Sequence, residues 1–451
     1  MPKFFKKKEK EVDEKVSKAR RARFISRLRG TKDILPDEYK YWSLVFKKAS
    51  ELSKAYSFRR METPVLENLE LYERSTGRHS DVVTKEMFSF IDKNGEKIAL
   101  RPEATPGIVR SYIEHGMFNL PQPVKLFWLG PVFRHEKPQA GRFRQFTQFN
   151  LENIGEISPV ADAELIALSH YFFSELQLDV VTQINSVGCL TCRKDYLTKL
   201  ENFYKERGRR TKLCNDCKKR LVKNPLRLLD CKEKQCQEMA AEAPQIVDSL
   251  CEDCKNHFIK VLEYLDELNI PYNLNPTLVR GLDYYNRTVF EVWPVLAEGE
   301  TADLGRQSAL GGGGRYDGLV EHMGGRPTPA CGFGIGIERV ILKIKEKNIP
   351  LQDEEKGDVF LAHLGDPARR KIMLLFEELR KNGFKVRQAF TKDSLKSQLE
   401  MANQAGVKYT LILGQKEIMD GTILIRDMES GIQEIVDYKK VVAEVKKRLT
   451  V

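Results

Sequence analysis

The sequence contains no long apolar run. None of its 451 residues belongs to a stretch that approaches the ~18 consecutive apolar residues of a membrane span. The N-terminus also lacks the apolar segment of a signal peptide, and four acids, Glu9, Glu11, Asp13 and Glu14, argue against a transit peptide. These absences predict a soluble, cytoplasmic protein with no membrane partner.

Several other common sequence features are missing. The chain has no internal repeat or low-complexity segment, and none of its seven histidines has the spacing of a metal-ligand pair. The glycines in residues 311–318 and 332–339 lack the spacing and the following acidic residue of a dinucleotide-binding loop. We therefore interpret these glycines as positions where the backbone approaches a ligand or packs tightly.

Positive charge is present in modest excess. Lys and Arg number 75 against 64 Asp and Glu, which gives a net charge of +11 and a pI near 9.0. Such an excess permits a polyanionic partner without requiring one. Residues 1–29 carry twelve basic residues against four acids, which predicts a cationic arm at residues 1–24. A solvated tail and an RNA-binding arm both fit this composition.

Polar residues alternate along residues 127–152, where two predicted strands are joined by a short loop at residues 137–141. Successive side chains of a strand point to opposite faces. Such a row is either a solvated sheet face or a pocket in which arginines bind phosphate while carboxylates and an amide hold an ammonium group. The residues that share the predicted face are Arg134, Glu136, Arg144, Phe146, Gln148, Asn150 and Glu152.

Periodicity predicts the elements around this hairpin. Residues 61–67 are predicted to form a strand, which Pro64 confines to a sheet edge or an interface. Residues 99–105 are predicted to contain another strand that Pro102 stops, with Glu103 and Thr105 on a common face in either a packing or a functional role. Helices are predicted at residues 38–56, 159–176, 367–381 and 392–405, and further strands at residues 359–363, 385–388 and 409–413.

Eight of the nine cysteines fall within residues 186–257, between helical runs rich in Lys and Arg. A Cys-x-x-Cys pair can place two thiolates on one tetrahedral zinc ion, and inert or redox-active thiols are the alternative. Cys331 is interpreted as a packing residue. Nesting of the pairs predicts an outer metal site of Cys189, Cys192, Cys251 and Cys254, and an inner site of Cys214, Cys217, Cys231 and Cys236.

Five stretches in a characteristic order carry a family resemblance, which extends from about Arg29 to the C-terminus. The sequence resembles the class II aminoacyl-tRNA synthetases, and in particular the histidyl-tRNA synthetase family. The stretches are residues 63–67 (TPVLE), residues 133–136 (FRHE) with their continuation to Glu152, residues 278–285 (LVRGLDYY), residues 313–318 (GGRYDG) and residues 332–339 (GFGIGIER).

The resemblance implies an α+β fold, with an antiparallel-sheet catalytic domain, a mainly helical cysteine-rich insertion and a C-terminal α/β domain that binds the anticodon. It also implies a homodimer that converts histidine and ATP to histidyl-adenylate and then charges the 3′ end of histidine tRNA. The implied domains are the arm (1–24), the two catalytic parts (25–185 and 258–349), the insertion (186–257), a linker (350–357) and the anticodon-binding domain (358–451).

The resemblance implies roles for single residues as well. Arg134 and Arg280 would be the catalytic cations on opposite sides of the α-phosphate, where negative charge develops. Lys137 and Gln139 would meet the acceptor end of the tRNA, although the family often has Arg in place of Lys137. Asp283 and Tyr284 could equally be packing residues. ATP, with magnesium on its phosphates, would be bound by Arg134, Glu136, Arg142, Phe146 and Arg339. Histidine would be bound by Glu103, Thr105, Gln148, Glu152, Tyr285 and Tyr316.

A second hypothesis is a catalytically silent relative that regulates a histidine-biosynthetic enzyme. Such paralogues generally lack the anticodon domain and lose catalytic residues. Here residues 358–451 are present, and so are Arg134, Arg280, Tyr285 and Arg339. The sequence therefore favours an active ligase.

Overall fold

The structure is a computed structural model that describes residues 25–77, 80–295, 309–351 and 357–449. The chain divides into two compact units, Met1–Pro350 and Leu351–Val451. The predicted arm at residues 1–24 lies outside the described residues, and so do residues 352–356 of the predicted linker. Among the described helices, none has both the length and the apolar character needed to cross a membrane.

Eleven strands form two sheets in the described part of the first unit. They are β1 (Arg59–Arg60), β2 (Leu66–Asn68), β3 (Ser89–Ile91), β4 (Lys97–Leu100), β5 (Val124–Phe133), β6 (Gln145–Ile154), β7 (Val180–Ser186), β8 (Tyr272–Leu274), β9 (Asn286–Pro294), β10 (Gly311–Arg315) and β11 (Ala330–Gly336). The large sheet has the order β1-β5-β6-β11-β10-β9-β7-β8 and the small one the order β2-β4-β3. The large sheet is antiparallel from β5 to β7 and parallel at each end.

Helices pack against the large sheet and form most of the cysteine-rich segment. In the described residues of the first unit they are α1 (Pro36–Ala55), α2 (Leu69–Ser75), α3 (Thr105–Glu114), α4 (Pro159–Glu175), α5 (Leu190–Lys205), α6 (Arg209–Lys212), α7 (Asn215–Lys223), α8 (Lys234–Ala241), α9 (Glu252–Glu267), α10 (Leu319–His322) and α11 (Ile337–Glu346). The helices predicted at residues 38–56 and 159–176 are confirmed as α1 and α4. α4 begins after Ser158, whose Oγ accepts a hydrogen bond from the N–H of Val160.

The predicted hairpin is present as β5 and β6, which pair antiparallel with Gly130 opposite Gln148. Its alternation is confirmed. Phe149 and Leu151 are fully buried on one face of β6, and Phe149 packs against Phe172 of α4 with 5.3 Å between ring centroids. Because that face is occupied by the hydrophobic core, the polar row of β6 lies on the opposite face of the sheet.

The prediction of a strand at residues 61–67 is mostly wrong. The chain leaves β1 at Arg60, and the next strand, β2, begins only at Leu66. The carbonyl oxygens of Thr63 and Pro64 accept hydrogen bonds from Arg101 Nη1, at 2.5 and 3.2 Å. A side chain therefore satisfies backbone groups for which a neighbouring strand would be expected.

The strand that Pro102 was predicted to stop is present, but Glu103 and Thr105 are not part of it. β4 ends at Leu100, and Thr105 is the first residue of α3, with Pro106 beside it. Proline fits the first turn of a helix because its missing N–H has no helical partner there. The prediction that Glu103 and Thr105 alternate along one strand is therefore wrong, although both side chains are buried.

The cysteine-rich segment supplies α5 to α9 and shares its core with the large sheet. Its buried Tyr196, Leu200 and Leu221 belong to the same hydrophobic cluster as Val289 of β9 and Tyr316. The segment leaves the sheet after β7 and returns at β8, which is parallel to β7. A tight turn cannot join parallel neighbours, so this segment is the crossover connection between them.

The second unit contains a five-stranded mixed sheet with helices. Its described elements are β12 (Val359–His363), α12 (Asp366–Lys381), β13 (Val386–Gln388), α13 (Leu395–Gln404), β14 (Tyr409–Leu413), α14 (Gln415–Asp420), β15 (Thr422–Asp427), β16 (Gln433–Asp437) and α15 (Val441–Leu449). The order is β13-β12-β14-β15-β16, parallel up to β14 and antiparallel after it. The elements predicted between residues 359 and 413 are confirmed, as is the α+β fold class.

Candidate active site

Side chains from strands, helices and loops meet on the polar face of the large sheet, and Glu152 of β6 lies at their centre. Glu152 is 1% exposed. Its Oε1 accepts a hydrogen bond from Thr105 Oγ1 at 2.7 Å, and its Oε2 accepts one from the hydroxyl of Tyr316. Burial raises the pKa of Glu152 to about 8, against the opposite influence of these two hydrogen bonds. A cation or N–H donor in the pocket would favour the ionised form.

Two glycines leave room for the polar side chains. Gly332 lies opposite Glu152 in the β6–β11 pair, and a Cβ atom there would stand 1.7 Å from Glu152 Oε2. A Cβ atom at Gly312 of β10 would stand 2.8 Å from Arg280 Nη1. At these two positions the interpretation of the glycines as sites of close packing is confirmed.

Glu103 is the second buried carboxylate of the site. It is 4% exposed, and its Oε2 accepts a hydrogen bond from the Tyr284 hydroxyl at 2.9 Å. Burial raises the pKa of Glu103 to about 7, although Arg134, Tyr284 and Arg280 favour its ionised form. Its Oε1 has no hydrogen-bond partner among the described residues. This oxygen is available to a donor on a bound ligand.

The rings of three tyrosines pack against one another beside the two carboxylates. The ring centroids of Tyr284 and Tyr285 are 4.6 Å apart, and that of Tyr316 lies 5.6 Å from Tyr284 and 6.4 Å from Tyr285. Burial raises the pKa of Tyr285 to about 12, with a smaller lowering by Arg280. The hydroxyl of Tyr285 is therefore neutral at physiological pH and can donate a hydrogen bond.

Arg280 lies in the loop before β9 and is held by Glu291 of that strand. Its Nη1 donates to Glu291 Oε1, and the other oxygen of Glu291 accepts from Trp293 Nε1 at 3.2 Å. The Arg280 guanidinium carbon is 5.8 Å from the ring centroid of Tyr285. Arg280 Nε has no partner among the described residues, so the guanidinium retains a free donor for a ligand.

Arg134 stands at the end of β5, close to the second arm of the hairpin. Its Nε donates to the carbonyl oxygen of Pro102 at 2.8 Å, and its guanidinium carbon is 5.6 Å from the ring centroid of Phe146. Nearby, Arg142 Nη1 donates to Glu136 Oε2 at 3.1 Å. These four predicted residues lie together on the hairpin.

Arg339 approaches the same region from α11. Its Nη1 donates to the carbonyl oxygen of Ala309 at 2.5 Å. Burial lowers its pKa to about 10, and Arg142 acts in the same direction while Glu136 opposes it. A Cβ atom at Gly141 of the hairpin loop would lie 3.2 Å from Arg339 Cγ, so loop and helix are in close contact.

Three predicted site residues have fewer contacts with the rest. Gln148 lies on β6, and its buried Oε1 has no partner among the described residues. Lys137 and Gln139 are exposed in the hairpin loop, where the N–H of Arg142 donates to the carbonyl of Gln139 at 2.9 Å. The structure therefore separates these two loop residues from the buried pocket.

One acid of the pocket, Glu291, and one acid that binds the backbone of β6, Glu338, were not identified from the sequence. Glu291 is an acid in the middle of a strand, a pattern that is typical of a solvated face, yet it pairs with Arg280. Glu338 lies within residues 332–339, and its two carboxylate oxygens accept from the N–H of Thr147 at 2.8 and 3.0 Å. Burial raises the pKa of Glu338 to about 7. Its place in a motif was the only signal that could have identified it.

The outer cysteine group is assembled as the nesting predicted. Cys189, Cys192, Cys251 and Cys254 place their sulfur atoms within 4.8 Å of one another and could hold a metal ion. Cys189 and Cys251 precede α5 and α9, and their partners lie in the first turn of those helices. Cys-x-x-Cys at a helix start therefore directs both thiols to the same end of the helix, where the backbone N–H groups favour a thiolate.

The inner cysteine group is assembled as well. The sulfur atoms of Cys214, Cys217, Cys231 and Cys236 lie within 4.8 Å of one another and could hold a second metal ion. Cys214 precedes α7 and its Sγ accepts a hydrogen bond from the N–H of Cys217 at 3.4 Å. All nine cysteines lie in the described residues and are free thiols, with Cys331 buried apart from the two groups.

Comparisons with known proteins agree with this geometry. A family model for histidyl-tRNA synthetase matches residues 30–340, and one for an anticodon-binding domain matches residues 358–448. Histidine–tRNA ligases of Dehalococcoides mccartyi and Natranaerobius thermophilus are each 44% identical to this chain; each alignment covers 93% of this chain and 99% or 98%, respectively, of the relative. The apo histidyl-tRNA synthetase of S. aureus is 35% identical, with a TM-score of 0.78 over 94% of this chain and 100% of that one.

An antiparallel sheet with arginines, carboxylates and tyrosines on one face, in a chain that also has an anticodon-binding domain, is the arrangement of a class II aminoacyl-tRNA synthetase. The curated relatives that cover the chain carry the name of one particular ligase. The chain belongs to the histidyl-tRNA synthetase family. These comparisons give no support to the regulatory alternative.

Proposed function

We propose that the pocket around Glu152 activates histidine with ATP, and that the chain then transfers the histidyl group to the 3′ end of histidine tRNA. The observation that carries this proposal is the pair of buried carboxylates, Glu152 and Glu103, beside the guanidinium groups of Arg134 and Arg280. Carboxylates suit the cationic and N–H groups of an amino acid, and guanidinium groups suit its carboxylate and a phosphate.

The buried half of the pocket is assigned to histidine. The carboxylate of Glu152 and the neighbouring tyrosine hydroxyls can satisfy both nitrogens of an imidazole ring. An amino acid without those nitrogens would leave buried polar groups unpaired, and such sites reject the wrong substrate by ~10⁴ or more. The residues assigned to histidine are Glu103, Thr105 and Gln148 for its ammonium group, and Glu152, Tyr285 and Tyr316 for its ring.

The hairpin and α11 are assigned to ATP. Phe146 and Arg339 would enclose the adenine base between an aromatic ring and a guanidinium, and Glu136 would accept from the adenine amino group. Arg142, which now pairs with Glu136, would bind the γ-phosphate, while Arg134 binds the α-phosphate. Magnesium would accompany ATP and neutralise part of the negative charge of its phosphates.

The chemistry proposed for this site has two steps. An oxygen of the histidine carboxylate attacks the α-phosphorus of ATP and pyrophosphate leaves. A hydroxyl of the terminal ribose of the tRNA then attacks the carbonyl carbon of the adenylate, and AMP leaves. Arg134 and Arg280 would stabilise the charge that develops on the phosphoryl oxygens, and Glu291 would hold Arg280 ready for that contact.

Transfer RNA would contact the chain at more than one place. The exposure of Lys137 and Gln139 supports their assignment to the acceptor end. The α/β unit at residues 358–451 would bind the anticodon, and residues 25–185 with 258–349 would form the catalytic domain. The arm, the insertion and the linker would have the limits predicted above. The proposal also includes a homodimer and a cytoplasmic location.

Each cysteine group is proposed to hold a structural zinc ion. Zinc–sulfur bonds of about 2.3 Å in a tetrahedron place the sulfur atoms about 3.8 Å apart. The Sγ–Sγ separations are 3.5 Å for Cys189–Cys192, 3.8 Å for Cys192–Cys254 and 3.8 Å for Cys214–Cys231, which supports this geometry. Elemental analysis of the purified protein should find tightly held zinc, and a metal-free folded protein would contradict the assignment.

The test of the proposed function is ATP–pyrophosphate exchange measured with each of the twenty amino acids. Exchange should depend on histidine and be near background with the other amino acids. A second assay should then show histidine attached to histidine tRNA. A folded protein that gives no exchange with histidine would defeat the proposal.

A further inference from the structure

The loop at residues 278–285 carries Arg280 and Tyr285, and its outer side is held by the cysteine-rich segment. Arg193 Nη2 donates to the carbonyl oxygen of Tyr285, while its Nε donates to that of Val187 at 3.3 Å. Arg193 directly follows Cys192 of the outer cysteine group. The cysteine-rich segment makes three such contacts with the loop, and this first one comes from the residue next to the outer cysteine group.

The other two contacts come from residues that lie between cysteines of the inner cysteine group. Arg227 Nη1 donates to the carbonyl oxygen of Gly281 at 3.1 Å, and Asn224 Nδ2 donates to Asp283 Oδ1 at 2.6 Å. Both donors lie in the chain between Cys217 and Cys231. The three contacts thus reach the loop at residues 281, 283 and 285, which lie between Arg280 and the start of β9.

Arg227 is the most constrained of the three donors. Its side chain is 14% exposed, and its Nη2 contacts Asp81 Oδ2 at 3.3 Å and Asp230 Oδ2 at 3.2 Å. Arg220 binds the same oxygen of Asp81 at 3.2 Å, and Lys85 binds the other at 3.0 Å. The planar guanidinium can bind a carbonyl and a carboxylate at once, which a lysine ammonium cannot do with the same geometry.

We propose that the cysteine-rich segment positions the 278–285 loop for histidine, and that Arg193, Asn224 and Arg227 are the positioning residues. This inference rests on the proposed function. None of the three is assigned to a substrate; each acts through the loop that carries Arg280 and Tyr285. A loop held at three points has already lost the conformational freedom that histidine binding would otherwise have to remove.

The position of these contacts predicts a selective effect. Glu136, Phe146 and Arg142 lie on the hairpin, and in the part of the chain that the structure describes none of them shares a hydrogen bond or ion pair with Arg227. Loss of a positioning contact should therefore weaken histidine binding and leave ATP binding nearly unchanged. A general loss of folding would weaken the binding of both ligands.

The experiment compares Arg227→Ala with Arg209→Ala, an arginine of the same segment whose contacts are with Phe203 instead of the loop. Dissociation constants for histidine and ATP are measured separately by calorimetry on the full chain. Arg227→Ala should weaken histidine binding about tenfold, the usual effect of losing one charge-assisted hydrogen bond. Its ATP affinity, and both affinities of Arg209→Ala, should stay within about twofold of the wild type.

A milder variant and an independent readout complete the test. Asn224→Ala removes a single side-chain contact and should weaken histidine binding less than Arg227→Ala does. Amide hydrogen exchange in residues 278–285 should be faster in Arg227→Ala than in Arg209→Ala. Two results would overturn the inference. One is that Arg227→Ala binds histidine as tightly as Arg209→Ala does. The other is that Arg227→Ala and Asn224→Ala each lose histidine affinity and ATP affinity to the same extent. The wild type's exchange with histidine is unaffected by these outcomes, so failure of the proposed function is recognised separately.

Discussion

The two halves of the pocket differ in how their charges are held. On the histidine side, Glu152 and Glu103 are almost fully buried and accept hydrogen bonds from Thr105, Tyr316 and Tyr284. On the ATP side, the side chains of Arg142 and Glu136 are 26% and 20% exposed and pair with each other. The half assigned to histidine is thus built from buried carboxylates, whereas the half assigned to ATP is partly open to solvent.

This difference indicates which half of the pocket selects its ligand more strictly. A buried carboxylate is costly unless a ligand completes its hydrogen bonds, so we expect the half assigned to histidine to discriminate strongly between ligands. The open side has arginines whose present partners, Glu136 and the carbonyl of Ala309, can be exchanged for phosphate or a base. ATP is the same for every synthetase, so strong discrimination is needed only for the amino acid.

The largest effect is expected for Arg280→Ala, at the boundary between the two halves. The turnover number for adenylate formation should fall about 10²- to 10³-fold, because one donor to developing charge is lost. Dissociation constants for histidine and ATP should change much less. Single-turnover kinetics measure the first quantity and calorimetry the second. Arg326→Ala, an exposed arginine stacked on Phe118, is the control, and near-normal turnover in Arg280→Ala would refute the assigned role.

The next effect is expected for Glu152→Gln on the buried side. The amide keeps the size of the side chain but loses the charge that accepts the imidazole N–H, so histidine affinity should fall about 10- to 100-fold. ATP affinity should be retained. Equilibrium binding of each ligand checks both statements. If Glu152→Gln bound histidine as well as the wild type, the carboxylate would not be the group that reads the ring.

A smaller effect is expected for Phe146→Ala on the open side. Loss of one stacking face should weaken ATP binding about tenfold, since stacking of a base on an aromatic ring contributes ~1–3 kcal/mol. Histidine affinity should be unchanged, the reverse of the result for Glu152→Gln. Phe90→Ala, at a ring that is 47% exposed, is the matched control. A loss of histidine affinity in Phe146→Ala would erase the distinction between the two halves.

The last expected effect is a dependence of stability on pH. The pKa values of Glu152 and Glu103 are raised from 4.5 to about 8 and about 7, so between pH 4.5 and 8 the folded protein holds more protons than the unfolded chain. Stability should therefore fall as pH rises through this window. Denaturant unfolding from pH 5 to pH 8 measures the slope, which should be shallower in Glu152→Gln than in the control Glu70→Gln. Identical slopes in the two variants would contradict the burial argument.

The sequence was most informative where one local pattern decided the structure. Alternation predicted the hairpin because a one-residue shift would have exposed Phe149 and buried Gln148 on the wrong face. Nesting predicted both cysteine groups because Cys-x-x-Cys at a helix start needs only one further pair to complete a tetrahedron. These features depend on neighbours in sequence.

The predictions failed where a distant residue decided the structure. Arg101 donates hydrogen bonds to the carbonyl oxygens of Thr63 and Pro64, where a strand was predicted, and no local signal in the sequence indicates that contact. Glu291 belongs to the site only because Arg280 reaches it. In the second unit, the elements after β14, which are α14, β15, β16 and α15, were not predicted. Long-range contacts of this kind cannot be inferred from residue spacing.

The parallel pairing of β7 with β8 limits how this protein could be shortened. Because Thr182 lies opposite Tyr272, any replacement for the cysteine-rich segment must carry the chain from Ser186 back along about four residues of strand, roughly 13 Å. A linker of sufficient length would restore the order of strands but would leave the 278–285 loop without its outer support. A minimal catalytic fragment would therefore keep its sheet and still bind histidine poorly, so connectivity and substrate recognition cannot be engineered separately in this chain.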